Sequence, residues 1–137
     1  CLYKYEVHAC TDVTGFGVLG HLVEMVRAGQ VDISIDLNKL PILVGALETM
    51  QLGIFSSLQP SNIRLRRAIK NQDVAVKHEL YPLLFDPQTA GGLLATVPSQ
   101  HKDACVAELH QLGYPHTCVI GEVEQLSNTV ESIMINT

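Results

Sequence analysis

The sequence predicts an α/β or α+β sandwich, in which helices pack on a sheet, and three observations support this prediction. The chain has 137 residues, the length of one domain, with 47% hydrophobic and 17% charged residues, as a protein with a buried core has. Residues 31–37 alternate apolar and polar without a break, which is typical of a strand with one buried face. Residues 16–28 repeat apolar side chains at helical spacing, so both element types occur in one chain.

The N-terminal third is predicted to contain one long helix between two extended segments. Residues 2–7 are interpreted as the end of a preceding helix, and residues 7–12 lead into a glycine-rich turn. The helix over 16–28 places its apolar residues on one face and is expected to end at Gly29. These apolar residues are Val18, Leu19, Leu22, Val23 and Val26.

Short helices and loops are predicted to fill the middle of the chain. Asn38 is the expected cap of a helix with Pro41 in its first turn, and this helix ends near Gly53. A loop over 54–61 precedes a short basic helix over 62–71. Its arginines are expected to face solvent, and the alternative is an anion site.

The C-terminal part is predicted to alternate strands and one helix. A polar, glycine-containing loop over 86–92 leads into a buried strand over 93–97. A helix then starts at Pro98 and Ser99 and ends at Gly113. Two closing strands, 118–123 and 130–135, follow with a turn between them.

Composition argues against several classes of function. Nine Lys and Arg against 14 Asp and Glu give a net charge of −5, which disfavours nucleic-acid binding. No apolar run approaches the roughly 20 residues of a membrane span. None of the four cysteines forms a C-x-x-C pair, so we expect reduced thiols in a cytoplasmic protein. Cys118 is expected to be buried on a strand, and the alternative is half of a metal site with His116.

Residues 11–21 form the first motif that suggests chemistry. Asp12 and two threonines lie beside a glycine-rich turn at a predicted helix start. One interpretation is that Asp12 holds Mg²⁺ while the glycines admit a phosphate to the backbone. The other is that Asp12 and Thr14 only cap the helix. His21 is predicted on the polar side of this helix, either at the surface or behind the residues that would contact a ligand.

Two further segments carry polar side chains at turns. Residues 86–92 place Gln88 and Thr89 just before a strand, and the alternative is a plain turn that carries these side chains. Residues 57–62 are interpreted either as a binding loop or as an ordinary loop with a helix cap at Ser61.

Together, these motifs resemble one family. Residues 10–21 are similar to the signature that opens the C-terminal domain of selenophosphate synthetase (selenide, water dikinase), and residues 86–94 are similar to its second signature. The resemblance implies a mixed sheet with helices packed on it, as in the aminoimidazole ribonucleotide (AIR) synthetase superfamily. It implies that Asp12 binds Mg²⁺. The implied ATP-facing residues are Thr11, Thr14, Gly15, Gly17, Asn62, Asp86, Gln88, Thr89, Gly91 and Gly92.

The resemblance also implies that residues 1–137 are the single C-terminal domain of a longer chain. The expected partners are its own N-terminal domain, which dimerises and supplies much of the ATP site, and the substrates selenide and ATP. The implied reaction is selenide + ATP + water → selenophosphate + AMP + phosphate. The catalytic residues are expected in the N-terminal domain, so this chain alone is predicted to be inactive. The alternatives are another ATP-using member of the superfamily or a non-catalytic scaffold.

Overall fold

A computed structural model describes residues 1–137 as two small sheets with helices around them. The strands are β1 (Ala9–Asp12), β2 (Asp32–Asp36), β3 (Leu93–Thr96), β4 (Gly121–Glu124) and β5 (Ile133–Asn136). The α-helices are α1 (Gly17–Gly29), α2 (Ala46–Gln51), α3 (Gln59–Asn62), α4 (Gln72–Ala75) and α5 (Lys102–Gln111). Short 3-10 helices cover Leu2–Tyr5, Leu37–Lys39, Ile63–Ala68, Tyr81–Phe85 and Ser99–His101.

The three-stranded sheet has the order β4-β2-β5 and is mixed. β2 runs antiparallel to β4, with Ile33 opposite Val123, and parallel to β5, with Ile33 opposite Ile133. The alternation in residues 31–37 produces this central strand, because Ile33, Ile35 and Leu37 all point into the core. The predicted sandwich of helices on a mixed sheet is confirmed.

Helix α1 supplies the second layer of the core. Its apolar face, predicted from helical spacing, is buried at Leu19, Leu22, Val23 and Val26. These side chains pack in one cluster with β2, β5 and the segment Tyr81–Phe85. The helix ends where expected, but Gln30 rather than Gly29 takes the left-handed conformation after it, at φ 50°.

Asp32 departs from the simple pattern of one buried face. It lies on the polar phase of β2 yet is only 1% exposed. Its Oδ2 accepts hydrogen bonds from Lys70 Nζ at 2.5 Å and from the Ser127 backbone N–H at 3.1 Å. The lysine and the 127 turn therefore cover the face that the sequence predicts to be open.

Strands β1 and β3 form a separate antiparallel pair, which we call the ribbon. Asp12 lies opposite Leu93, and Ala9 lies opposite Thr96. The predicted buried strand over 93–97 is wrong in its burial, because Leu93 is 67% exposed. The ribbon pairs with no third strand, so neither of its outer edges is covered by the sheet.

The middle of the chain is less helical than the sequence predicts. Asn38 does not cap a helix but lies inside the 3-10 helix Leu37–Lys39. Asp36 caps that short helix, since its Oδ1 accepts the Asn38 N–H at 3.0 Å. The helix expected to contain Pro41 begins only at Ala46, because Gly45 has a left-handed φ of 86° just before it. Residues 2–7 contain only the single 3-10 turn at Leu2–Tyr5.

The basic segment is also divided. The expected helix over 62–71 consists of the end of α3 and the 3-10 segment Ile63–Ala68. Ile69 then leaves the helical conformation, is buried at 3% exposure and bridges to Ile133 of β5. Arg64, Arg66 and Arg67 are exposed, as predicted.

Near the C-terminus, Gly113 follows α5 with a φ of 96°, which confirms the predicted end of that helix. The closing strands β4 and β5 start three residues later than predicted. Cys118 therefore precedes its strand and is exposed, so the prediction that it is buried on a strand is wrong. All four cysteines are free thiols. None of the helices combines the length and the apolar character that a membrane-spanning helix needs.

Candidate functional site

The two glycine-containing loops predicted from the sequence lie side by side at one end of the ribbon. We call residues 12–17 the first loop and residues 86–92 the second loop. Val13 donates its N–H to Gly92 O at 2.9 Å and accepts the Gly91 N–H at 3.1 Å. Thr14 O accepts the Gln88 N–H at 3.1 Å. Backbone pairing thus continues from the ribbon into both loops.

Two of the four predicted site glycines are required by packing within the protein. A Cβ on Gly91 would lie 2.4 Å from Val13 O. A Cβ on Gly17, which has a φ of 69°, would lie 2.9 Å from Leu84 O. Gly15 and Gly92 have nothing within 4 Å of the same position. Only these last two leave open space in which a ligand can approach the backbone.

Asn62 joins the first loop to Phe85, the residue just before the second loop, through its side chain. Its amide nitrogen donates to Gly15 O at 2.9 Å and to Phe85 O at 3.1 Å. Asn62 is 6% exposed, and its neighbour Gln59 is 4% exposed and donates to Pro82 O at 2.9 Å. The expected cap at Ser61 is absent, because α3 begins at Gln59 with no side-chain cap. The 57–62 segment instead supplies two buried anchors.

His21 is buried at 5% exposure, so the surface position is wrong, and the alternative, a side chain that supports the loop residues, agrees with its contacts. Its Nε2 accepts the Thr14 backbone N–H at 3.0 Å and lies 3.2 Å from Thr14 Oγ1. The first loop folds back over the helix and covers this ring. The helical period of 3.6 residues correctly places His21 on the polar side of α1. The period carries no information about the loop before the helix, and that loop buries the side on which His21 lies.

Asp12 and the threonines near it do not cap the helix. The residue before α1 is Phe16, and no side chain accepts a hydrogen bond there, so the capping interpretation is wrong. The Asp12 carboxylate is exposed and forms neither a hydrogen bond nor an ion pair within the chain, while Thr11 Oγ1 donates to Asp12 O at 3.3 Å. Asp12 therefore presents a carboxylate that has no hydrogen-bond or ion-pair partner within the chain.

In the second loop, Asp86 is half-buried and pairs with Gln88, whose Nε2 donates to Asp86 Oδ2 at 2.6 Å. Burial raises the pKa of the Asp86 carboxyl, and the hydrogen bond from Gln88 opposes this shift. Thr89 is exposed at the tip of the loop. Gln88 thus orients Asp86, and Thr89 is free to contact a ligand.

The side chains at this site suit a magnesium ion that takes most of its ligands from water and substrate, and they do not suffice to hold an ion by themselves. No group of three or more His, Cys, Asp or Glu side chains lies close enough to hold a metal ion. Mg²⁺ usually takes one or two carboxylates and completes its shell with water and substrate phosphates. One exposed, unpaired carboxylate at Asp12 fits that requirement as a single ligand.

Comparison with known families identifies one family that covers most of the chain. Residues 1–132 match the family described as "AIR synthase related protein, C-terminal domain". The chain belongs to this family. As an AIR synthase related C-terminal domain, it has the helices and mixed sheet described above, and the two loops lie within the matched residues.

Individual relatives are named selenide, water dikinase. This AIR synthase related domain is 36% identical over 124 residues to the protein of Clostridioides difficile (strain 630), covering 88% of this chain and 34% of the relative. It is 40% identical over 119 residues to that of Pelobacter propionicus, covering 87% and 34%. It is 38% identical over 120 residues to that of Rhizobium meliloti, covering 85% and 33%. The chain therefore spans about one third of the length of these relatives.

Proposed function

We propose that this chain is the C-terminal domain of an ATP-dependent enzyme that forms selenophosphate. The observation that carries this proposal is the exposed, unpaired carboxylate of Asp12 at the junction of the two loops. The chain is similar to proteins named selenide, water dikinase, which supports this proposal. The reaction that we propose for the longer protein is selenide + ATP + water → selenophosphate + AMP + phosphate.

Asp12 would be one ligand of Mg²⁺ that also binds ATP phosphates. The ion, when bound, neutralises charge that develops on the transferred phosphoryl group. The open backbone at Gly15 and Gly92 would approach the phosphates, and Thr11, Thr14 and Thr89 would line the site with hydroxyl groups. Gly17 and Gly91 shape the loops, while Asp86 and Gln88 form the polar wall beside them.

The remaining parts of the active site would come from outside residues 1–137. Phosphoryl transfer needs several groups to neutralise charge, and a lone carboxylate does not supply them. We propose that an N-terminal domain of the same longer protein provides the nucleophile and most of the ATP site, and that the whole protein is a cytoplasmic homodimer. The isolated chain is then expected to form no AMP from ATP and selenide.

The test uses the longer protein, with the Asp12→Asn substitution. We expect loss of selenide-dependent AMP formation by at least about a hundredfold, because one charged ligand of the metal is removed. Asp73→Asn is the matched control, since Asp73 is also exposed but lies on α4 and makes no ion pair. The folded state of both variants is compared by thermal unfolding.

The results distinguish the proposal from its alternatives. Unchanged activity in Asp12→Asn would remove Asp12 from the metal site. ATP consumption with a different phosphoryl acceptor would identify another ATP-using member of the superfamily. Absence of any nucleotide-dependent activity, with Mg²⁺-ATP binding also absent, would support a scaffold.

A further inference from the structure

The imidazole of His21 contacts the first loop at Thr14, whose backbone hydrogen bonds hold the loop in its conformation. Thr14 has every backbone hydrogen-bonding group engaged. Its N–H goes to His21 Nε2 at 3.0 Å, and its carbonyl accepts the Gly17 N–H at 3.1 Å and the Gln88 N–H at 3.1 Å. His21 is the single side chain that receives this N–H. Without it, a half-buried donor two residues from Asp12 would have no partner within the chain.

This contact fixes the tautomer of His21. A ring nitrogen that accepts an N–H carries no proton of its own, so the proton of the neutral ring lies on Nδ1. Nδ1 is buried and lies 3.1 Å from Glu24 Oε2, at ion-pair distance but without hydrogen-bond alignment. The tautomer therefore follows from the contact between Nε2 and the Thr14 N–H alone.

The ring is also held in orientation by its neighbours. The Phe16 ring lies 5.7 Å from the His21 ring, centroid to centroid, in a tilted arrangement. His21 itself is buried on α1 between Leu19 and Leu22, both of which lie in the core. The acceptor nitrogen is therefore presented from a rigid helix and not from a second flexible loop.

We propose that His21, as the Nδ1–H tautomer, is a positioning residue that holds the first loop in the shape that presents Asp12 and Thr14. It touches neither substrate nor metal and acts through the Thr14 backbone. The part of this inference that concerns Mg²⁺ and ATP rests on the proposed function, whereas the tautomer and the loop contact do not.

The first experiment measures the tautomer in the 137-residue chain with uniform ¹⁵N labelling. Long-range ¹H–¹⁵N correlation of the imidazole reports which ring nitrogen carries the proton. We expect a protonated Nδ1 and an unprotonated Nε2 for His21. A proton on Nε2 would overturn the proposal, and no substitution is needed for this result.

The second experiment compares His21→Gln with His21→Leu by amide hydrogen exchange. Gln retains an acceptor oxygen, whereas Leu fills the space without one. We expect Thr14 exchange to rise by about tenfold or more in His21→Leu and to be slowed again in His21→Gln. His78→Leu is the control, because His78 Nδ1 also accepts a backbone N–H, from Leu80, outside both loops. Unchanged Thr14 exchange in His21→Leu, with the core amides still protected, would overturn the proposal.

The third measurement uses the longer protein and separates positioning from general stability. We expect His21→Leu to raise the Mg²⁺ concentration for half-maximal AMP formation by about tenfold, with His21→Gln closer to the unmodified protein. An equal Mg²⁺ requirement in all three proteins would overturn the link to Asp12. If the unmodified protein forms no AMP, the proposed function fails while the tautomer and exchange results still decide the role of His21 in the loop.

Discussion

The three-stranded sheet with α1 and the ribbon with its two loops differ in how they bury side chains. In the sheet region, Leu19, Ile35 and Ile133 are at most 2% exposed and form one apolar cluster. In the ribbon region, Leu93 is 67% and Phe16 53% exposed, although both are large and apolar. The first region is a packed core, and the second is an open surface on which the candidate site lies.

The two regions also differ in what their asparagine side chains hold together. Each region has one asparagine that binds backbone across a long sequence separation. Asn71 donates to Ile135 O at 2.7 Å and accepts the Ile135 N–H at 3.1 Å, so it extends the edge of a packed sheet. Asn62 joins the first loop to the residue before the second loop, and few large apolar side chains are buried within the two loops. A two-stranded ribbon is marginal by itself, so the site depends on such clamps more than the sheet does.

The largest expected difference between the two regions is in the free energy of unfolding lost when a leucine is shortened to alanine. Leu19→Ala removes a fully buried side chain and is expected to lower the free energy of unfolding by about 2–5 kcal/mol. Leu93→Ala changes an exposed side chain and is expected to cost less than about 0.5 kcal/mol. Urea unfolding followed by circular dichroism measures both. Equal losses would show that the ribbon is covered in solution.

A smaller effect is expected from adjacent glycines in the second loop. Gly91→Ala forces a Cβ against Val13 O and is expected to cost about 1–3 kcal/mol. Gly92→Ala adds a Cβ in open space and is the matched control. Chemical unfolding of both variants under the same conditions tests the pair. A larger loss at Gly92 would contradict the loop geometry described here.

The two asparagine clamps give a third comparison. Asn62→Leu removes two hydrogen bonds, each with a net value of about 1 kcal/mol, and is expected to speed amide exchange in both loops. Asn71→Leu is expected to speed exchange at β5 and leave the loops unchanged. Residue-resolved hydrogen exchange measures both responses. Exchange that rises across the whole chain in either variant would contradict a local clamp.

The sheet region was largely predictable from the sequence, because a strong period reports which face of an element is apolar. The period of 3.6 gave α1 within one residue at each end, and the alternation gave β2 within its predicted range. The pattern does not report what covers an element. Leu93 of β3 is therefore exposed because nothing covers that face of the ribbon, whereas Leu94 on the other face packs partly against the core. Polar Asp32 is buried because Lys70 and Ser127 reach it.

The candidate site was predictable as two motifs but not as an arrangement. Local composition located both loops, and the structure brings them together through Val13 and Thr14. Composition did not distinguish Gly17 and Gly91, where a Cβ would clash, from Gly15 and Gly92, where it would not. The difference depends on which backbone atoms lie opposite each Cα, and these come from a distant part of the chain. It also missed His21 and Gln59 as buried anchors, because their partners lie 7 and 23 residues away along the chain.

The smallest expected effects are opposite pH dependences of the two regions. Lys70 and Ser127 lower the pKa of Asp32, so its ionised form stabilises the folded state. That contribution is present above the ordinary aspartate pKa of about 3.9 and is lost as the pH falls through the lowered folded value. Asp32→Asn is expected to remove this part of the acid sensitivity, measured as the urea midpoint below about pH 4.

For Asp86 the sign is reversed. Burial raises its pKa, so the folded state binds a proton more tightly than the unfolded chain does. Stability then falls as the pH rises from about 3.9 through the raised folded value, and Asp86→Asn is expected to flatten the pH dependence in that window only. The two variants thus act on opposite sides of about pH 4. A loss of acid sensitivity below that pH in Asp86→Asn would show that its carboxylate is stabilised by an additional partner, and that the second loop resembles the sheet region in its electrostatics.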